Sequence, residues 1–382
     1  MSKRINILNN VITYLITIAC FFMVVFVGSS KVADSNLWAI VLATFVGVIV
    51  AGIITTFFHE IGHLVGGKLN GFVFVSMSIL FFKWEIYKGK RLFSFVMPGD
   101  ELGYTEMISK STENIAKRYK NMTGFAILFT FIPTIIGIIP LFINSLSLWP
   151  YCLWGALLPI GVFSILDNGL PTSSMGVRND GAIIYGLNKM DDQSKVLVNL
   201  LSIQSEMLNG KTPAEIDEKF YFDLPQLGED EINFFLLLNA RYNYFLDKGD
   251  FENAKKTTDR LLSLNDYAQE AHMLVAKIDA LYNYCTFDFD ENKADDLMYE
   301  LEGYLNKRNS CTNLRVKMAY ILFVAKENYL IEDFYVKAKK EALNCQIKGY
   351  GAFELKLIEK LRQNSPASTV QNSMAHKSTS RT

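Results

Sequence analysis

Four stretches of almost uninterrupted apolar residues fill the first half of the chain, at about 11–29, 37–58, 122–143 and 148–166. Each approaches the ~20 residues that a helix needs to cross a bilayer. Pro133 and Pro140 fall inside the third, which predicts a kinked or broken helix there. Between the second and third stretches the pattern turns β-rich. Residues 72–80 and 91–96 read as strands, 87–90 as a tight turn and 98–104 as a loop, which predicts a hairpin or small sheet at the membrane face. From about residue 191 the pattern becomes that of amphipathic helices separated by polar turns. The expected fold is therefore mainly α: a polytopic membrane protein with about four transmembrane helices and a β-hairpin-rich re-entrant segment, followed by a soluble α-helical repeat domain. Residues 1–190 form the membrane domain, 191–362 the helical domain, and 363–382, rich in Ser and Thr, a disordered tail.

Charge sharpens this division. Residues 1–190 carry 14 Lys/Arg against 9 Asp/Glu, and 191–363 carry 22 against 30. With the N-terminus in the cytoplasm, the external loops are 31–36 and 144–147, and Lys31 is the single basic residue of the first half left outside. The opposite orientation would export the other thirteen, against the positive-inside rule. Both termini and the helical domain are thus expected in the cytoplasm, at a bacterial cell membrane. The basic Met1-Ser2-Lys3-Arg4 start suits a signal peptide, but its apolar run is too long and lacks a small-x-small cleavage site, so it reads as a membrane helix. Five dispersed cysteines without a CxxC give neither a disulfide framework nor a thiolate metal site. No basic stripe suggests nucleic acid.

The chemistry concentrates at the end of the second apolar stretch, in His59-Glu60-Ile61-Gly62-His63. On a helix His59 and His63 share a face and can grip one metal ion, while Glu60 stands where its carboxylate can poise a metal-bound water. Zinc lowers the pKa of such a water to about 7. An idle ionisable cluster is costly in hydrocarbon-like surroundings. Two histidines and a water leave tetrahedral zinc one ligand short. Glu101, Glu106, Glu113, Asp167 and Asp180 are the available carboxylates, and Asp180 also suits a helix N-cap before the apolar stretch 182–187.

An HExxH at the end of a membrane helix, a β-rich segment, and then Asn168-Gly169-Leu170-Pro171 followed by Asp180-Gly181 resembles the site-2 protease family of intramembrane zinc metalloproteases, over residues 37–190. The resemblance implies one zinc ion held by His59, His63 and Asp180, with Glu60 as the catalytic base and Asn168 and Pro171 lining the substrate cleft. Its substrate would be a membrane-spanning or membrane-associated polypeptide, unwound locally and held by strand addition on the β-rich edge at 72–96. The gap from Pro171 to Asp180 is longer than in the tightest form of the motif, which keeps Asp167 as an alternative ligand. No PDZ domain is inserted, as in the compact branches of that family.

In the second half, the aromatic run 234–245, the turn at Gly249-Asp250 and Ala254 resemble a tetratricopeptide repeat, with weaker echoes at 270–305 and 314–344. Such surfaces bind peptides or partner proteins. This leaves a competing expectation: a catalytically inactive membrane anchor whose cytoplasmic helices bind a partner protein. A further alternative is a different membrane metalloprotease class that recruits a downstream Glu as ligand.

Overall fold

The structure is a computed structural model that describes residues 3–32, 36–87, 89–97, 102–174 and 176–364. Of the tail expected to be disordered, 363–382, Gln363 still belongs to the last helix and Asn364 caps it, while 365–382 lie outside the described residues. Four helices are long and apolar enough to cross a membrane, which marks a membrane protein. They are α1 (Lys3–Lys31), α2 (Leu37–Leu69), α3 (Ile115–Ile138) and the pair α4 (Leu148–Gly155) and α5 (Leu157–Gly169), once four strands, β1 (Phe72–Ile79), β2 (Phe82–Tyr87), β3 (Lys90–Phe95) and β4 (Gly103–Ser109), are placed between α2 and α3. Their outer faces are apolar: Phe26 and Trp38 are 77% and 74% exposed. In water such a surface drives aggregation, whereas in lipid it is matched by its solvent.

Helix boundaries follow local chemistry. The Asn36 side chain accepts from the Ala39 amide at 2.8 Å and starts α2. The third apolar stretch runs as a helix through Pro133 to Ile138 and then breaks into a 3-10 turn that takes in Pro140, so the break expected in this stretch falls at its second proline rather than its first. A further, unexpected break divides the fourth stretch at Ala156, where Pro159 has no N–H to offer the carbonyl four residues back.

Small residues set the packing of α2. A Cβ on Gly62 would lie 2.6 Å from the Ala126 Cα, and one on Gly66 2.5 Å from the Phe125 Cβ, so α2 and α3 approach to backbone contact. Gly47 is packed in the same way against Cys152 of α4, and Gly67 meets the Met107 side chain of β4, whereas nothing lies within 4 Å of a Cβ on Gly52.

The sheet order is β3-β2-β1-β4. Met77 of β1 faces Trp84 of β2 on one side and Thr105 of β4 on the other, both antiparallel. This is more sheet than the sequence suggested. β2 went unread because Lys83 and Glu85 interrupt its apolar residues, although that alternation is itself a strand pattern. Residues 103 and 104, expected in a loop, open β4. Beyond α5 come the short strands β5 (Ser173–Ser174) and β6 (Val177–Arg178), then α6 (Asp180–Lys189) and α7 (Asp192–Leu208).

The described residues fall into two compact units, one within Met1–Ile86 and Arg91–Val198, the other within Tyr87–Lys90 and Asn199–Thr382. The second unit is helical: α8 (Lys219–Phe222), α9 (Ile232–Lys248), α10 (Phe251–Leu262), α11 (Glu270–Cys285), α12 (Glu291–Lys307), α13 (Cys311–Phe323), α14 (Ile331–Leu343) and α15 (Lys348–Gln363). α9 and α10, α11 and α12, and α13 and α14 pack as successive pairs. The first pair turns at Gly249, in the left-handed region at φ 76°, and Asp250 then caps α10. An ion pair lies in this core. Arg315 donates to Glu354 through Nε at 2.7 Å and Nη2 at 3.3 Å, and the two residues are 1% and 0% exposed.

Candidate metal centre

α2 continues past the apolar stretch to Leu69, so His59 and His63 lie in the helix interior, one turn apart on one face. Their rings are nearly perpendicular, with centroids 5.0 Å apart. Asp180 is the first residue of α6. Its Oδ2 lies 3.2 Å from His59 Nε2 and 3.4 Å from His63 Nε2, and the three side chains are 11–14% exposed. One ligand atom from each residue falls within 4.8 Å of the others, so the group is able to hold a metal ion.

Two observations test whether a metal fits. First, Asp180 Oδ2 is buried yet has no hydrogen-bond partner of acceptable geometry among the described residues, although two imidazole nitrogens are close by. Second, zinc bonds of about 2.0–2.2 Å at tetrahedral angles place neighbouring ligand atoms about 3.3–3.6 Å apart. The observed 3.2 and 3.4 Å match that spacing. The donor set fits a divalent ion such as zinc.

Electrostatics agree with this use. Burial alone would raise the Asp180 carboxyl, but the adjacent imidazoles of His63 and His59 overrule it and hold the pKa at about 2. A metal ligand at this position is the carboxylate form. Asp180 is also free of the capping role that its sequence position suggested. Asn179 is the N-cap of α6, accepting from the Ala182 amide at 2.9 Å, and leaves the Asp180 carboxylate to the histidines.

The surrounding hydroxyls assign proton positions. Thr130 Oγ1 of α3 donates to the Ala126 carbonyl at 2.9 Å, so its single proton is used there. Its 3.2 Å contact with His59 Nδ1 is then one in which the imidazole donates. In the neutral tautomer that donates from Nδ1, Nε2 is the atom left for an ion beside Asp180. Glu60 is 4% exposed, and its Oε2 accepts from Thr105 Oγ1 of β4 at 2.7 Å. Two residues earlier on the same face of β4, a Cβ on Gly103 would lie 3.0 Å from Glu60 Cγ and Oε1. β4 therefore rests directly on the Glu60 carboxylate.

The remaining sequence-derived residues are placed less centrally. Asn168 Nδ2 donates within its own helix, to the Ser164 carbonyl at 3.0 Å. Pro171 presents its carbonyl to Asn9 Nδ2 of α1 at 2.8 Å. The exposed Asp167 does not belong to the metal-competent group, and its carbonyl accepts from Asn179. Glu106 accepts from Ser76 at 3.0 Å, Glu113 is exposed, and Glu101 lies outside the described residues. Thr105, Thr130 and Asn179 were not singled out from sequence. A polar Thr130 within an apolar span is the one signal that could have found its residue. Compared with protein-family models, with curated proteins and with solved structures, the chain matches none.

Proposed function

We propose that this chain is an intramembrane zinc metalloprotease that hydrolyses a peptide bond in a membrane-spanning or membrane-associated polypeptide. The observation that carries the reading is the convergence of His59, His63 and Asp180 beside a buried Glu60, on a helix long and apolar enough to cross a membrane. Zinc held by those three residues would polarise the scissile carbonyl and acidify its bound water. Glu60 takes the water proton and returns it to the leaving amine. Thr105 occupies Oε2, so Oε1 is the atom that carries the proton. Asn168 has its amide donor engaged with Ser164, so it shapes the cleft rather than binding the oxyanion.

A helical substrate must unwind before its carbonyls are accessible. β4 ends the described sheet order and lies against Glu60, so its outer edge suits an extended substrate by strand addition. The edge proposed to receive the substrate is therefore 103–109 rather than 72–96. Phe82, Trp84, Phe93 and Phe95 form an aromatic cluster on β2 and β3, with Phe95 74% exposed, which suits a sheet dipping into the membrane interface. The orientation supported by the charges puts both termini and the helical unit in the cytoplasm. There, three tetratricopeptide-like helix pairs would present a surface to a substrate or partner protein.

The test is direct. Purified protein should contain about one zinc ion per chain and lose it on His59→Ala. Cells carrying Glu60→Gln should retain membrane proteins that the wild type converts to released peptides. Bound zinc with identical peptide pools in both cells would leave the inactive adaptor as the better reading.

A further inference from the structure

Ten residues separate the end of α5 at Gly169 from Asp180, and the regular structure among the described ones is the two-residue pair β5 and β6. Such a connection does not by itself hold a ligand within the ~0.5 Å that a metal centre needs. Resting on the reading that His59, His63 and Asp180 hold a metal, we propose that Asn179 is the positioning residue of that centre. Its amide ties the connection shut and aims Asp180.

The side chain of Asn179 uses its whole hydrogen-bonding capacity on the chain between residues 167 and 182. Its Oδ1 accepts from the Ala182 amide at 2.9 Å and from the Thr172 amide at 3.0 Å. Its Nδ2 donates to the Leu170 carbonyl at 2.7 Å and to the Asp167 carbonyl. The Asn179 backbone N–H adds a bond to the Thr172 carbonyl at 3.2 Å. A helix N-cap needs only the first of these contacts, which Ser or Asp would make equally well. The other contacts require a group that accepts and donates at once, and an amide is the side chain of this size that does both.

Two further features close the clamp around the ligand. Asn9 and Asn6 of α1 donate to the carbonyls of Pro171 at 2.8 Å and Ser173 at 2.9 Å, holding the far side of the connection. On the near side, a Cβ on Gly181 would lie 2.3 Å from the Gly169 carbonyl oxygen, so the first turn of α6 sits against the end of α5. Asp180 lies between these two fixed points. The long gap after Pro171 is tolerated because Asn179 folds it back on itself.

The experiment compares wild type, Asn179→Ser, Asn179→Asp and His59→Ala as full-length protein in detergent. It measures zinc affinity by chelator competition, the visible spectrum of bound cobalt and the thermal midpoint. Asn179→Ser keeps the cap and loses the two donations; zinc affinity should fall about 10–100-fold and the tetrahedral cobalt bands should weaken. Asn179→Asp keeps the shape and both accepted bonds but sets an anion against two carbonyls, and should lose affinity as well. It carries the test alone should the Ser variant fail to fold. Wild-type zinc affinity and cobalt spectrum in either folded variant overturn the proposal, as does a lowered thermal midpoint with metal binding unchanged. A wild-type protein that binds neither ion overturns the metal reading itself, and this inference with it.

Discussion

At the scale of single residues, the chain uses buried charge in two opposite ways. In the membrane unit the charged groups converge on a point that a metal can neutralise, and one hydroxyl orients the first ligand. Thr130→Val keeps the volume but leaves the His59 Nδ1–H without an acceptor, so zinc affinity should drop about 10–100-fold while the thermal midpoint moves little. In the helical unit Arg315 is committed to Glu354, and a second buried acid, Asp279 (5% exposed), is left with no cation of its own. Burial pushes Asp279 up to about 7, against the pull of Arg315, with Glu354 adding to the rise and Asn239, donating at 3.1 Å, opposing it. A carboxyl whose folded pKa exceeds its unfolded value contributes most stability below the unfolded value, and loses it as pH rises from about 4 to about 7. Asp279→Asn removes that loss. The variant should match the wild type near pH 4 and exceed it at pH 8, by up to the order of 4 kcal/mol, as read from thermal midpoints of the full-length protein across that range.

At the scale of elements, the membrane helices were legible because hydrophobicity sustained over some twenty residues has one meaning. The sheet was less so, since β2 and β4 mix polar and apolar residues and their partners are set by tertiary contact rather than by local propensity. The same limit applied to the site. His59, Glu60 and His63 are joined by helical spacing, which sequence displays, whereas Asp180 meets them only through the way α2, α3 and α6 pack, so spacing alone could not choose it over Asp167. Glycines show the difference clearly. Gly52 and Gly62 look alike in the sequence, but a Cβ on Gly52 meets nothing within 4 Å, while one on Gly62 meets the backbone of Ala126 and Phe125 at 2.6 and 2.7 Å. Gly52→Ala should leave stability unchanged or raise it by up to about 1 kcal/mol. Gly62→Val must push α3 away, taking Thr130 with it, and should cost about 1–3 kcal/mol together with most of the bound zinc. Thermal midpoint and metal content of the two variants check both outcomes.

At the scale of the whole molecule, the decisive property is an asymmetry of charge along the chain. The membrane helices are apolar on their outer faces, and the helical unit is acidic with a polar surface, so one half seeks lipid and the other water. The cytoplasmic placement proposed for the helical unit rests on the basic residues between the spans. Lys68, Lys83, Lys88, Lys90, Arg91, Lys110, Lys117, Arg118 and Lys120 all fall between α2 and α3 or at the helix ends facing that connection, and Lys31, the last residue of α1, stands alone at the connection to α2. Retaining that cluster on the cytoplasmic side outweighs any contribution from one exported lysine, given roughly 1 kcal/mol for each basic residue near an anionic leaflet. A single cysteine placed at Ser145, in an otherwise cysteine-free chain, should therefore react with a membrane-impermeant maleimide in intact cells. One placed at Asp230, before α9, should react only after the membrane is opened. Labelling of Asp230→Cys alone in intact cells would invert the topology, and labelling of both would mean that the fourth stretch does not cross; either result puts the helical unit, with whatever it recruits, on the outer side.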